Sequence, residues 1–206
     1  MSTIVVDAFL SLDGVMQAPG DPDEDRDDGF PHGGWQAPHL DDAITGFIGE
    51  GIAATEALLL GRRTYEKFAA HWPNVPDDHP EATGARTLDA MPKYVASRTL
   101  SGLDWQNSVL LGADVPGAVA ALRARPGGEI HVVGSAVLLR TLLRHDLVDR
   151  YRLMIFPVVL GSGKRLFEQG CAPGGLTLTE SRVTPGGALI CDYRRTGPVT
   201  YGSFEA

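Results

Sequence analysis

Glu129-Ile130-His131-Val132-Val133-Gly134-Ser135-Ala136-Val137-Leu138-Leu139-Arg140-Thr141-Leu142-Leu143-Arg144 is the stretch whose reading decides the fold. Glu129 to Val133 reads as a strand, Gly134-Ser135 follows it directly, and Ala136 to Arg144 is strongly helical in pattern. Two other segments share this design, in which a strand end delivers small or basic residues into a helix or loop: Leu60-Gly61-Arg62-Arg63-Thr64 and Ala96-Ser97-Arg98-Thr99. Strands that alternate with helices in this way build an α/β sheet.

Working outward, Ile4 to Leu12 is an apolar, β-branched run closed by Asp13-Gly14, and it reads as the first strand. Gln17 to Pro38 is a long loop rich in Gly, Pro and Asp, with Phe30 and Trp35 as its large apolar residues. Loops of such length in a compact domain are often lids or binding loops. Trp35 is open to two uses, stacking on a substrate ring or plugging the core. Ile44, Phe47, Ile48 and Ile52 share one helical face within Asp41–Thr55. Ala57 to Leu60 is a strand, Arg62 to Phe68 opens a helix, and Glu81 to Ala90 is another. Lys93 to Ser97 and Val109-Leu110 are strands, and Val115 to Arg125 is a helix. Tyr151 to Leu160 is nearly continuously apolar, as expected of a strand covered on both faces. Leu176 to Thr184 and Ala188 to Arg194 flank Pro185-Gly186-Gly187 as a terminal antiparallel hairpin. The expected architecture is one α/β domain over residues 1–206, with a mixed sheet, helices on both faces and an antiparallel edge.

The 206 residues are 43% apolar and 21% charged, near globular averages. The formal charge is −8, with one acidic run from Asp21 to Asp28 and no basic cluster, so no nucleic-acid partner is expected. Cys171 and Cys191 are isolated and read as inert thiols in a reducing compartment. His32, His39, Asp41 and Asp42 match no standard metal spacing, and no metal is expected. The first residues show no signal-peptide pattern, and no stretch approaches the roughly 20 apolar residues of a membrane helix. A cytoplasmic protein without a membrane partner is the expectation.

In an open α/β sheet, ligands sit beyond the carboxyl ends of the strands. A helix N-terminus suits a phosphate, Gly lets backbone approach closely, and Arg offers a planar fork of donors. Three phosphate-competent segments in a chain of net charge −8 ask for a ligand with several phosphates. The G-x-G-x-x-G fingerprint after the first strand and the P-loop are both absent, which argues against the two standard nucleotide folds.

Leu58-Leu59-Leu60-Gly61-Arg62-Arg63-Thr64-Tyr65-Glu66 resembles the M-G-R-x-T-[WY]-E segment of dihydrofolate reductases. Glu129–Ala136 is similar to their strand ending in Gly-Gly, with Ser135 at the second Gly, and Tyr94–Thr99 to their strand ending in Ser-Arg or Ser-Ser. Leu147-Val148-Asp149-Arg150, Pro157-Val158-Val159-Leu160-Gly161-Ser162-Gly163 and Leu166-Phe167 resemble the reductase domain of the bifunctional riboflavin-biosynthesis deaminase-reductase. The resemblance covers nearly the whole chain. It implies a three-layer dihydrofolate reductase-like fold with a mostly parallel mixed sheet, helices on both faces and a C-terminal antiparallel hairpin.

It also implies NADPH as cofactor. Gly61, Arg62, Arg63 and Thr64 would hold phosphates. Ser97 and Arg98, with Thr99, would meet the adenosine ribose and its extra phosphate, and Gly134, Ser135, Ala136 and Val137 would cover the pyrophosphate and nicotinamide side. The backbone near Ala8 and Phe9 would pass the nicotinamide amide, and Asp13 stands where the family's loop Asp follows the first strand. One departure concerns the substrate: folate-reducing enzymes carry an acidic residue in the helix before Gly61, near Ile44-Thr45 here, whereas Asp41 and Asp42 lie about one turn earlier. They are weak candidates for a substrate contact, the alternative being carboxylates favoured by the helix dipole.

The expected reaction is hydride transfer to a carbonyl or imine carbon of a small molecule, of the kind that reduces 5-amino-6-(5-phosphoribosylamino)uracil in riboflavin synthesis. The alternatives are a dihydrofolate, pterin or other carbonyl reductase, and a nucleotide-binding protein without turnover. No side chain stands out as a proton donor. Asp149 and Arg150 are expected at the surface or in a dimer contact, and the Tyr151 strand is expected to support a homodimer.

Overall fold

The structure is a computed structural model that describes residues 1–204. Its regular elements are β1 (Thr3–Ser11), α1 (Asp42–Ala54), β2 (Thr55–Gly61), α2 (Arg62–His71), α3 (Ala82–Ala90), β3 (Lys93–Ala96), β4 (Ser108–Leu111), α4 (Val115–Ala124), β5 (Glu129–Val133), α5 (Ala136–Arg144), β6 (Arg150–Phe156), β7 (Gly175–Val183) and β8 (Leu189–Gly197). The strands form one sheet in the order β4-β3-β2-β5-β1-β6-β8-β7. β1 to β6 run parallel to one another, while β8 is antiparallel to β6 and to β7.

Side-chain alternation along β1 explains the layering. Ile4, Val6, Ala8 and Leu10 face Val119 and Leu122 of α4 and Leu138, Leu139, Leu142 and Leu143 of α5 in one apolar cluster. On the other face Ile44 and Phe47 of α1 pack with Met154, Phe156 and Ile190. Tyr65 of α2 and Leu88 of α3 close that face over Leu58 and Leu60. The three-layer α/β fold with its C-terminal hairpin is therefore the observed one.

The apolar run from Tyr151 stops being a strand earlier than its composition suggests. β6 ends at Phe156 because Pro157 has no N–H to continue a ladder. The following residues turn across the end of β1 instead, where Leu12 N–H donates to the Val158 carbonyl at 2.7 Å. β6 is paired on both sides, with β1 and β8, so it offers no free edge to a second copy; β4 and β7 flank the sheet. Asp149 and Arg150 are half-buried, and their charges are engaged within the chain. Asp149 accepts from Ile4 N–H and pairs with Arg123, and Arg150 bridges Glu129 and Asp192.

Trp35 plugs the core; it is 8% exposed, meets Phe156 edge-on, and its indole N–H donates to the Gln17 carbonyl at 2.8 Å. The reading of Trp35 as a ring that stacks on substrate is thereby set aside. Trp35→Ala should cost about 3–5 kcal/mol of unfolding free energy in urea titrations, because it leaves a cavity and an orphaned carbonyl.

Candidate active-site cleft

A parallel ladder puts the carboxyl ends of all its strands at one edge. The ends of β1, β2, β3 and β5 accordingly open onto one cleft of about 750 Å³, a size typical of small-molecule sites. Gly61, Arg62, Arg63 and Thr64, then Ser97, Arg98 and Thr99, then Gly134, Ser135, Ala136 and Val137 all line it, together with Ala8 and Phe9. The three segments singled out in the sequence thus meet at one site.

How the glycine-serine turn reaches the cleft is visible in its dihedral angles. Gly134 and Ser135 are both left-handed, at φ of 56° and 57°. Gly134 adopts this freely; Ser135 carries a steric cost there. Its hydroxyl offsets that cost, since Ser135 Oγ accepts from Gly61 N–H at 2.9 Å and lies 3.1 Å from Thr64 Oγ1, which also accepts from Ser135 N–H. The serine at the family's second glycine position therefore ties the end of β2 to the start of α5. The helices α2 and α5 both begin at this tie without any side-chain cap. By contrast Asp41 and Asp114 cap α1 and α4. Uncapped N–H groups in a cleft present partial positive charge to an anion.

Ser97 Oγ accepts from Thr99 N–H at 3.1 Å and Leu100 N–H at 3.0 Å, fixing the turn after β3. Arg98 and Thr99 stand exposed at the rim. Arg63 is engaged rather than waiting: its guanidinium pairs with Asp27 and, at 3.4 Å, with Asp25. Lys164, which the sequence reading passed over, also lines the cleft and holds the same two carboxylates at 2.8 and 2.6 Å. Hydrogen bonds from Arg63 and then Lys164 hold the Asp27 carboxyl down at about 2. The long acidic loop is thus strapped across the cleft. Gln17 anchors it, with Nε2 donating to the Asp25 and Asp27 carbonyls at 3.1 and 3.2 Å and Oε1 accepting from Lys164 N–H at 3.0 Å.

The three acidic catalytic candidates lie elsewhere, and none lines the cleft. Asp13 accepts from Ser11 Oγ, Leu160 N–H and Gly161 N–H and pairs with Arg165, bonds that hold its carboxyl far below the usual range and stitch the 157–165 segment to β1. Asp41 caps α1 through Ile44 N–H and also accepts from Gly186 N–H, which lowers its carboxyl in the same way. Asp42 is exposed in the first turn of α1. Besides Glu24, Asp25 and Asp27 of the loop, the cleft is lined by a carboxylate of the sheet, Asp7 on β1, whose side chain is 13% exposed. Arg152 Nη1 donates to its Oδ1 at 2.6 Å, and His131 Nδ1 lies 2.5 Å from its Oδ2. A lone acid and a lone His inside apolar strands were the available signal. Among the described residues no group of three or more His, Cys, Asp or Glu is placed to hold a metal ion, and no helix is long and apolar enough to cross a membrane.

The family model of the RibD C-terminal domain matches residues 2–190. YyaP of Bacillus subtilis (strain 168) is 28% identical over 94% of this chain and 95% of its own length. YwjB of the same organism is 24% identical over 62% of this chain and 71% of its own. Among solved structures, one assigned to riboflavin biosynthesis from Shewanella sp. PV-4 matches with a TM-score of 0.64 at 19% identity, over 94% of this chain and 99% of that one. A pyrimidine reductase-like protein from Corynebacterium diphtheriae matches with a TM-score of 0.59 at 14% identity, over 94% and 92%. At such identities these two structures establish the shared fold.

Two measurements check the geometry. Ser135→Ala keeps the left-handed strain and loses the hydroxyl's bonds, so urea denaturation should show a loss of about 1–2 kcal/mol, while Ser135→Gly should come within about 1 kcal/mol of the parent. Asp27 is depressed in the folded state from 3.8 to about 2. Its contribution to stability is therefore complete above 3.8 and lost as pH falls through about 2. The thermal-stability gap between parent and Asp27→Asn should close over that window.

Proposed function

The chain belongs to the RibD C-terminal domain family, a reductase family, and from that premise we propose that it is an NADPH-dependent oxidoreductase that delivers hydride to a small organic substrate. The observation that carries the reading is the pair of helix N-termini, α2 and α5, that open uncapped onto one cleft beside two close-lying glycines.

The cradle fits a dinucleotide diphosphate. A Cβ added at Gly134 would sit 3.3 Å from Thr64 Oγ1, tighter than ordinary packing, so the backbone there is kept bare beside the hydroxyl. Gly61, Arg62, Thr64, Gly134, Ser135, Ala136 and Val137 would hold the diphosphate, and Ser97, Arg98 and Thr99 the adenosine ribose with its extra phosphate. Arg63 reaches the same ligand by exchanging its carboxylate partners for phosphate oxygens. The cofactor, when bound, supplies the hydride. The chain's own part is orientation and exclusion of water, to which Ala8, Phe9, Met16, Ala18 and Pro19 contribute apolar lining beside the phosphate-binding turns.

The pyrimidine 5-amino-6-(5-phosphoribosylamino)uracil is the substrate that the family relationship favours. The test is oxidation of NADPH, followed by loss of nicotinamide absorbance, with this pyrimidine and with a panel of aldehydes, imines and dihydropterins. NADPH should raise the melting temperature more than NADH does. Arg98→Ala should narrow the difference in affinity between them by roughly tenfold, the worth of one charge-assisted hydrogen bond. Equal shifts from both nucleotides, or no oxidation with any substrate, would count against the assignment.

A further inference from the structure

Reduction of a carbon–heteroatom double bond consumes a proton as well as a hydride. The glycine-serine and serine-arginine turns bring no acid to the cleft, and its loop carboxylates are held by other groups, Glu24 by Gly20 N–H and Asp25 and Asp27 by Arg63 and Lys164. One face of the sheet does. Asp7, His131 and Glu129 form a continuous line: Glu129 Oε2 lies 3.0 Å from His131 Nε2, and His131 Nδ1 lies 2.5 Å from Asp7 Oδ2. The two ends are open and the middle is closed. The side chain of Glu129 at the start of β5 is 25% exposed, that of His131 2%, and that of Asp7 13% on the cleft.

We propose that Asp7 is the acid that protonates the reduced substrate, and that His131 and Glu129 are positioning residues that return its proton from solvent. The proposal rests on the reductase reading. Two carboxylates facing both nitrogens of one ring allow two placements of the same proton. Either His131 is an imidazolium that donates to both acids, or Asp7 is protonated and donates to Nδ1 while Nε2–H donates to Glu129. One proton crossing the Asp7–His131 contact interconverts them. In the reaction the substrate double bond is reduced: its carbon gains the hydride, its heteroatom gains the Asp7 proton, and the cofactor leaves oxidised. Asp7 then recovers a proton from His131, and His131 from water through Glu129.

The other charged groups around this line determine how it behaves. Arg152 on β6 donates to Asp7 Oδ1 and to the Phe47 carbonyl of α1 at 2.7 Å, and it stacks on the Phe47 ring. It fixes the Asp7 carboxyl through Oδ1 and leaves Oδ2 toward His131. Arg150 holds Glu129 Oε1 at 2.6 Å and is itself paired with Asp192. With a proton on His131, the three cations of this layer balance its three carboxylates, Asp7, Glu129 and Asp192.

The test compares Asp7→Asn and Glu129→Gln with the parent. Asp7→Asn should lower kcat by about 10²–10⁴-fold, the usual worth of a positioned acid, while the NADPH-induced rise in melting temperature persists. Glu129→Gln should lower kcat less at acid pH and progressively more as pH rises, because only the resupply of protons is cut. In the protein without nucleotide, nitrogen NMR of the His131 ring should show the Nδ1 resonance moving in Asp7→Asn and the Nε2 resonance in Glu129→Gln. Should Asp7→Asn fail to fold, the Glu129→Gln pH profile and the NMR still decide. An Asp7→Asn enzyme within threefold of the parent kcat, an unaltered Glu129→Gln pH profile, or a His131 ring blind to both substitutions would overturn the relay and leave the reductase standing. Absence of NADPH binding and of any turnover in the parent would bring down the reductase reading, and the relay with it.

Discussion

Everything at the cleft hangs from β1 and its two parallel neighbours. Because β5 and β6 both pair with it, Asp7 lies beside Val133 on one side and Arg152 on the other. A charged side chain in the middle of a six-strand parallel array costs several kcal/mol unless it is paired. The pairing is supplied across strands, by His131 from β5 and Arg152 from β6, and Arg152 is in turn fixed by the first helix. Removing Asp7 leaves His131 with Glu129 alone and Arg152 with the Phe47 carbonyl alone. The layer therefore constrains sheet register, since a one-residue slip of β1 would turn Asp7 into the apolar cluster on the opposite face.

Much of this was legible in the chain. Alternating strand and helix patterns, with glycines or serines at strand ends, led to the layering and to the convergence of Gly61, Ser97 and Gly134. Local rules suffice there, because parallel topology does the long-range work. What escaped was determined by contacts between distant residues. Asp7 and Lys164 are single charges in segments read for other reasons, one as an apolar strand and the other as the tail of a glycine motif. Their meaning depends on partners more than a hundred positions away in sequence, as with His131 at 124 and Asp25 at 139. Asp13 and Asp41 misled for the converse reason: acids beside a turn and at a helix start look available, yet backbone N–H groups had already claimed them. Trp35 was balanced between two uses, and only the ring of Phe156 decided it.

The acidic loop has a consequence for how an anion is received. Arg63 and Lys164 are both paired with carboxylates of this loop, so a phosphate coming to either would exchange with an internal counterion instead of meeting bare charge. Dissolved salt screens the departing and the incoming pairs alike. Affinity for an anionic ligand should then vary with ionic strength less steeply than the number of cations lining the walls suggests, and the loop acts as a built-in electrolyte for its own site.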